Sequence, residues 1–181
     1  MGLPEIFISF QTAAVSAITR SARGVLAVAV KDATAGGAAE AAYKSLAEVP
    51  EDKFSPENYR LLKLAFLAAP TKVWVLRVGE DAEKTYQALE RLRFDWLAAP
   101  GLEDARVMSF IKTLRNGGRG VKAVVANAKA PDCEGIVNLC VSGLTLEDGA
   151  MEAKDYAVRV AALLAALPLT RSATYANLPE V

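Results

Sequence analysis

The chain has 181 residues, room for one domain with a proper core and some additional segment. Lys plus Arg and Asp plus Glu each total 21, so the formal net charge is zero and nothing in the balance speaks for nucleic acid or an anionic membrane surface. There is no histidine, which removes the commonest general base, the commonest metal ligand and every Ser-His-Asp or Cys-His arrangement.

After Met1-Gly-Leu-Pro the chain runs Glu5-Ile-Phe-Ile-Ser-Phe-Gln-Thr-Ala-Ala-Val-Ser-Ala-Ile-Thr, with no charge between Glu5 and Arg20. Ile6, Ile8 and Phe10 alternate with Phe7, Ser9 and Gln11, the period of a strand. A strand ahead of the first core element has no obvious partner at home, and its N–H and C=O groups await another chain. The reading points to assembly before catalysis. The candidate inter-subunit residues are Ile6, Ile8, Phe10, Val15 and Ile18 on the arm, with Arg20 and Arg23 at its junction with the core. The two arginines either pair with acids of a neighbouring subunit or are solvated.

Val25–Val30 reads as a buried strand, Asp32–Gly37 as a flexible surface loop, and Ala38–Glu48 as an Ala-rich helix or turn. Ser55-Pro56 is a helix start, with serine as N-cap and proline in the first position, followed by a face of Tyr59, Leu62, Phe66 and Ala69. Lys72–Val78 is a second strand. Asp81 caps a helix that aligns Thr85, Ala88, Leu89 and Leu92. Phe94–Ala98 is a third strand. A helix from about Glu103 to Asn116 buries Val107, Phe110, Ile111 and Leu114, with Gly117 at its C-cap. Val121–Ala126 and Ile136–Val141 complete the strands, and a last helix over about Glu152–Leu167 aligns Tyr156, Val160, Leu163 and Leu167.

Alternation of strands and helices predicts an α/β fold: a mainly parallel sheet with helices on both faces, preceded by an extended N-terminal β arm. The expected division is an arm over 1–20, an α/β core over 21–168, and an extended segment over 169–181 leading to a C-terminal domain that is missing. No basic start with a long apolar stretch marks a signal peptide, and the longest low-charge run, Val160–Leu169, is too short to span a bilayer. A soluble, cytoplasmically made protein is expected.

Ligand sites in such sheets lie beyond the carboxyl ends of the strands. Asp32-Ala-Thr-Ala-Gly36-Gly37 is the nearest thing to a phosphate loop there, but it lacks both GxGxxG spacing and the GK[ST] lysine. Asn116-Gly-Gly-Arg-Gly120 follows a helix C-terminus, where the dipole disfavours anions, and reads as a helix stop. Asp32, Asp81 and Asp132 are the carboxylates weighed as a Mg²⁺ cluster, but Asp81 already serves as an N-cap and Asp132 follows Pro131 in a turn. Trp74 and Trp96 read as core residues. Cys140, in Ile136-Val-Asn-Leu-Cys-Val141, reads as a buried small hydrophobe, and nothing suggests a disulfide framework. No metal, cofactor or catalytic residue is expected.

The opening Gly2-Leu-Pro-Glu-Ile, the junction Arg20-Ser-Ala-Arg-Gly-Val, Phe94-Asp-Trp-Leu-Ala-Ala-Pro100 and the closing Ser172-Ala-Thr-Tyr together resemble the tail sheath proteins of contractile phage tails, of the myophage and phage-like bacteriocin type. The resemblance covers the chain but only the N-terminal half or so of a typical sheath protein. It implies a structural subunit with a subtilisin-like core in fold alone, forming hexameric rings stacked helically around an inner tail tube. It also implies arms that complete a small sheet on neighbouring subunits, baseplate and tail terminator proteins as further partners, and residence in a virion tail or tail-like particle assembled in the host cytoplasm. The other reading of the same elements is a flavodoxin-like or doubly wound domain that binds a nucleotide or cofactor.

Overall fold

The computed structural model describes residues 24–127, 131–146 and 149–168. The proposed arm residues Ile6, Ile8, Phe10, Val15, Ile18, Arg20 and Arg23, and the segment 169–181, lie outside the described residues.

The described elements are β1 (Val25–Lys31), β2 (Glu40–Tyr43), α1 (Pro56–Phe66), β3 (Lys72–Val78), α2 (Ala82–Arg91), β4 (Trp96–Ala98), α3 (Asp104–Asn116), β5 (Lys122–Val125), β6 (Ile136–Asn138), β7 (Leu144–Leu146), β8 (Gly149–Met151) and α4 (Ala153–Ala166). Two 3₁₀ turns, Leu46–Glu48 and Glu51–Lys53, lie between β2 and α1. Six strands form one sheet in the order β2-β3-β1-β4-β5-β6, parallel throughout except for β2, which runs antiparallel to β3 at the edge. β7 and β8 form a separate hairpin.

β1 is central because its side chains are apolar on both faces. Ala27 and Ala29 point to one layer, while Leu26, Val28 and Val30 point to the other, all essentially inaccessible. The first layer packs α2 and α3 through Tyr86, Leu89, Val107, Met108, Ile111 and Leu114. The second packs α1 and α4 through Leu61, Leu62, Ala65, Ala157, Val158, Ala161 and Ala162. Burying strands on both faces is what a parallel sheet requires.

The local stop and start signals act as the residue types dictate. The Ser55 hydroxyl accepts a hydrogen bond from the Asn58 N–H, and Pro56 opens α1. The Asp81 carboxylate accepts from the Glu83 N–H at 3.0 Å. Gly117 is the C-cap of α3.

Several expectations change. Residues 40–43 form a strand, because β3 offers them a free edge to pair with; the helix or turn expected over Ala38–Glu48 survives only as the 3₁₀ turn Leu46–Glu48. The buried face of α4 is Ala157, Val158, Ala161, Ala162 and Ala165 rather than the stripe Tyr156, Val160, Leu163 and Leu167, whose members are half-buried. Small side chains let the helix sit close on the sheet and move the larger ones to its flanks. β6 stops after Asn138, which leaves Cys140 exposed. Trp74 and Trp96 pack against the core as expected but at its margin, half-buried, each with a lysine ammonium over its ring, Lys72 at 4.9 Å and Lys122 at 5.3 Å. Phe110, too, is half-buried, against Tyr86.

Candidate functional site

The crest of the sheet, beyond the carboxyl ends of β1, β3 and β4, is where a ligand of such a fold would sit. All four described helices begin there. α2 and α3 directly follow β3 and β4. The Asn58 side chain of α1 donates to the Lys31 carbonyl, and the Lys154 ammonium of α4 donates to the Leu102 carbonyl.

Asp32 stands at the end of β1, its side chain shut off from solvent. Its Oδ1 accepts from the Thr34 N–H at 2.9 Å, and its Oδ2 accepts from the Ser55 N–H at 3.0 Å and from the Asn58 amide at 2.8 Å. The Arg77 guanidinium lies 3.7 Å away. Burial works against ionisation of this carboxyl, but the donors around it win and hold it well below the usual carboxylate range. Arg77 in turn donates to the Thr34 carbonyl at 2.7 Å and to the Lys53 carbonyl, and stacks on Phe54 at 4.6 Å. The two side chains therefore fasten both ends of the 32–55 segment to the sheet. The Asp32–Gly37 loop, expected to be flexible, is tied down, and Gly37 is required there because a Cβ would coincide with the Arg77 guanidinium.

The switch point of the topology lies between β1 and β4, which flank the place where the chain crosses from one side of the sheet to the other. It is closed by backbone. The Gly101 N–H donates to the Ala29 carbonyl at 2.9 Å, and a Cβ on Gly101 would lie 2.7 Å from the Lys31 nitrogen. What remains open is a depression of about 700 Å³ beside α2 and α3, with Lys31 and Arg106 set against Glu80 and Glu103. Tyr86 lines it, but the Tyr86 hydroxyl is sealed beneath the surface with no hydrogen-bond partner among the described residues, under an Arg106 guanidinium 5.0 Å from the ring. Burial pushes that phenol up.

The remaining candidates are dispersed. Asp32 serves the loop, Asp81 caps α2 and Asp132 is exposed; among the described residues no group of three acids, cysteines or histidines could hold a metal ion. Asn116–Gly120 is a helix stop: Gly118 has φ 84°, and Arg119 donates to the carbonyls of Glu90 and Leu92 at 2.7 and 2.6 Å. Among the described residues no helix is long and apolar enough to cross a membrane.

Sequence reasoning missed Arg77 and Arg159. Arg159, 1 % exposed, donates to the Leu64 carbonyl at 3.4 Å and ties α4 to α1. The available signal was a lone arginine inside an apolar run: Lys72-Val-Trp-Val-Leu-Arg77-Val for one, Tyr156-Ala-Val-Arg159-Val-Ala-Ala for the other.

The crest is thus filled with interactions that hold the fold. Comparison with known proteins supplies the rest. No protein-family model matches the chain. Over 197 aligned positions, covering 99 % of the chain, it is 34 % identical to the tail sheath protein of Clostridium phage phiCD119. By sequence, the chain is similar to a phage tail sheath protein. It spans about half the length of the curated relative it matches, 53 %. The fold agrees with two crystal structures of sheath tail proteins. The one from Listeria innocua matches with a TM-score of 0.72 at 16 % identity, over 93 % of this chain and 63 % of that one. The one from Desulfitobacterium hafniense matches with a TM-score of 0.71 at 15 % identity, over 99 % and 66 %. At those identities the sheath structures speak for the fold alone.

Proposed function

We propose that the chain forms the α/β core of a structural subunit of a contractile tail sheath, one that polymerises around an inner tail tube and shortens to drive it through a target envelope. The observation that carries this reading is the 34 % identity to a tail sheath protein along 99 % of the chain. In this reading residues 1–20 are an arm toward a neighbouring copy, 21–168 the core of subtilisin-like type, and 169–181 a link to further sheath polypeptide. The partners are other copies in hexameric rings stacked helically, the tube, and the baseplate and tail terminator proteins, in a tail assembled in the host cytoplasm.

Catalysis has no place in it. A crest occupied by Asp32, Asn58, Arg77 and the Gly101 backbone supports a structural role over the flavodoxin-like alternative. The test is composition. Tail particles are purified on a density gradient from cells carrying the gene, and their proteins are identified by mass spectrometry. Peptides of this chain should rise and fall with the sheath. Sheathed particles that lack them would overturn the assignment.

A further inference from the structure

The formal charge of zero hides a separation along the strand axis. The helices share one direction, so their first turns gather at the crest and their last turns at the opposite, amino-terminal edge. The crest corner carries Glu80, Asp81 and Glu83, all exposed, with Glu103 beside them. Lys31, Lys84 and Arg106 oppose them there, and Arg106 is engaged by Glu83 at 2.8 Å. At the other edge a hollow of about 470 Å³ is lined by Arg91, Arg93 and Arg119 around Phe94. Arg119 directs its donors to carbonyl oxygens, which leaves its charge uncancelled. Two acids line it as well, Glu90 and Asp95, the latter accepting from the Val25 N–H at 3.1 Å, so the three arginines outnumber the carboxylates by one.

We propose that this basic hollow receives the acidic crest corner of a second copy, so that copies join head to tail along the strand direction. The proposal rests on the self-assembling role above and names the surfaces for one of its contacts. Joined end to end, such copies do not close in a dimer; each junction leaves a free acidic end and a free basic end, and the contact repeats. Complementary charge sets partner choice and register at such a junction.

Sedimentation velocity on the purified 181-residue chain tests this. Raising salt from 0.01 M to 1 M shortens the screening length from about 30 Å to about 3 Å. Association at low salt should weaken at least about tenfold over that range, by the loss of screened charge pairs. Two double variants follow: Arg91→Glu with Arg93→Glu, and Glu80→Lys with Glu103→Lys. Each alone should remain monomeric at low salt, with a circular dichroism melt like that of wild type. Mixed together they should associate again, since each then offers the end the other lacks. Wild-type chain that stays monomeric at low salt, association indifferent to salt, or a mixture that fails to recover would each overturn the proposal. Presence of the chain in sheathed particles is read separately, so failure of this contact is distinguishable from failure of the sheath assignment.

Discussion

Asp32 shows how a carboxylate in the place of a ligand can serve the fold instead. Its folded-state pKa is depressed, so its stabilising contribution is full above the unfolded value near 3.8 and is lost as the pH falls toward the folded one. Replacing Asp32 by Asn keeps the shape, removes the charge and turns a donor toward donors. The expected loss is about 1–3 kcal/mol at pH 7, the range for a buried group left mismatched. Urea unfolding of wild type and D32N at pH 7 and pH 3 checks this: the gap should narrow at the lower pH. An equal gap at both would mean that the charge is not what matters.

Among the elements, the loop after β4 has the least tolerance. Gly101 lies against the backbone of β1, with Val30 and Lys31 atoms at 2.8 and 2.7 Å from where a Cβ would be. β1 cannot yield without breaking its ladder, so Gly101→Ala should destabilise by about 1–3 kcal/mol, the usual consequence of overpacking. A thermal melt unchanged from wild type would show that the loop can lift. Much of this scaffold was legible beforehand. The Ser55-Pro56 and Asp81 helix starts, the strand Lys72–Val78 and the helix stop at Gly117 rest on local chemistry that the residues carry with them. β2 and the buried face of α4 do not. Glu40-Ala-Ala-Tyr43 becomes a strand only because β3 lies beside it, and Ala161 and Ala162 outrank Leu163 because the sheet is near enough to favour small side chains. The Asp32–Arg77 fastening joins residues 45 positions apart in sequence across two strands, a contact no local pattern encodes.

At the scale of the whole molecule, we propose that the arm of residues 1–20 links one copy to the next. Ile8→Pro would remove a ladder N–H from the proposed donated strand while leaving the described core untouched. The expected outcome is an unchanged unfolding transition together with loss of sheath tubes when the variant is produced with the tail genes; negative-stain electron microscopy gives the readout. Ordinary tubes from I8P would place the inter-subunit link elsewhere. Charge segregation adds a second, salt-sensitive contact to that picture, one that an arm variant should leave intact.

Gly24 leads directly into β1, a strand flanked on both sides by parallel partners, with β3 bonded along its whole length. Tension delivered through the residues before Gly24 is therefore aligned with the middle of the ladder. It loads many hydrogen bonds at once, in shear, where an edge strand would peel open one bond at a time. In the proposed sheath, an arm anchored this way would make the domain a strut that can be hauled without unravelling.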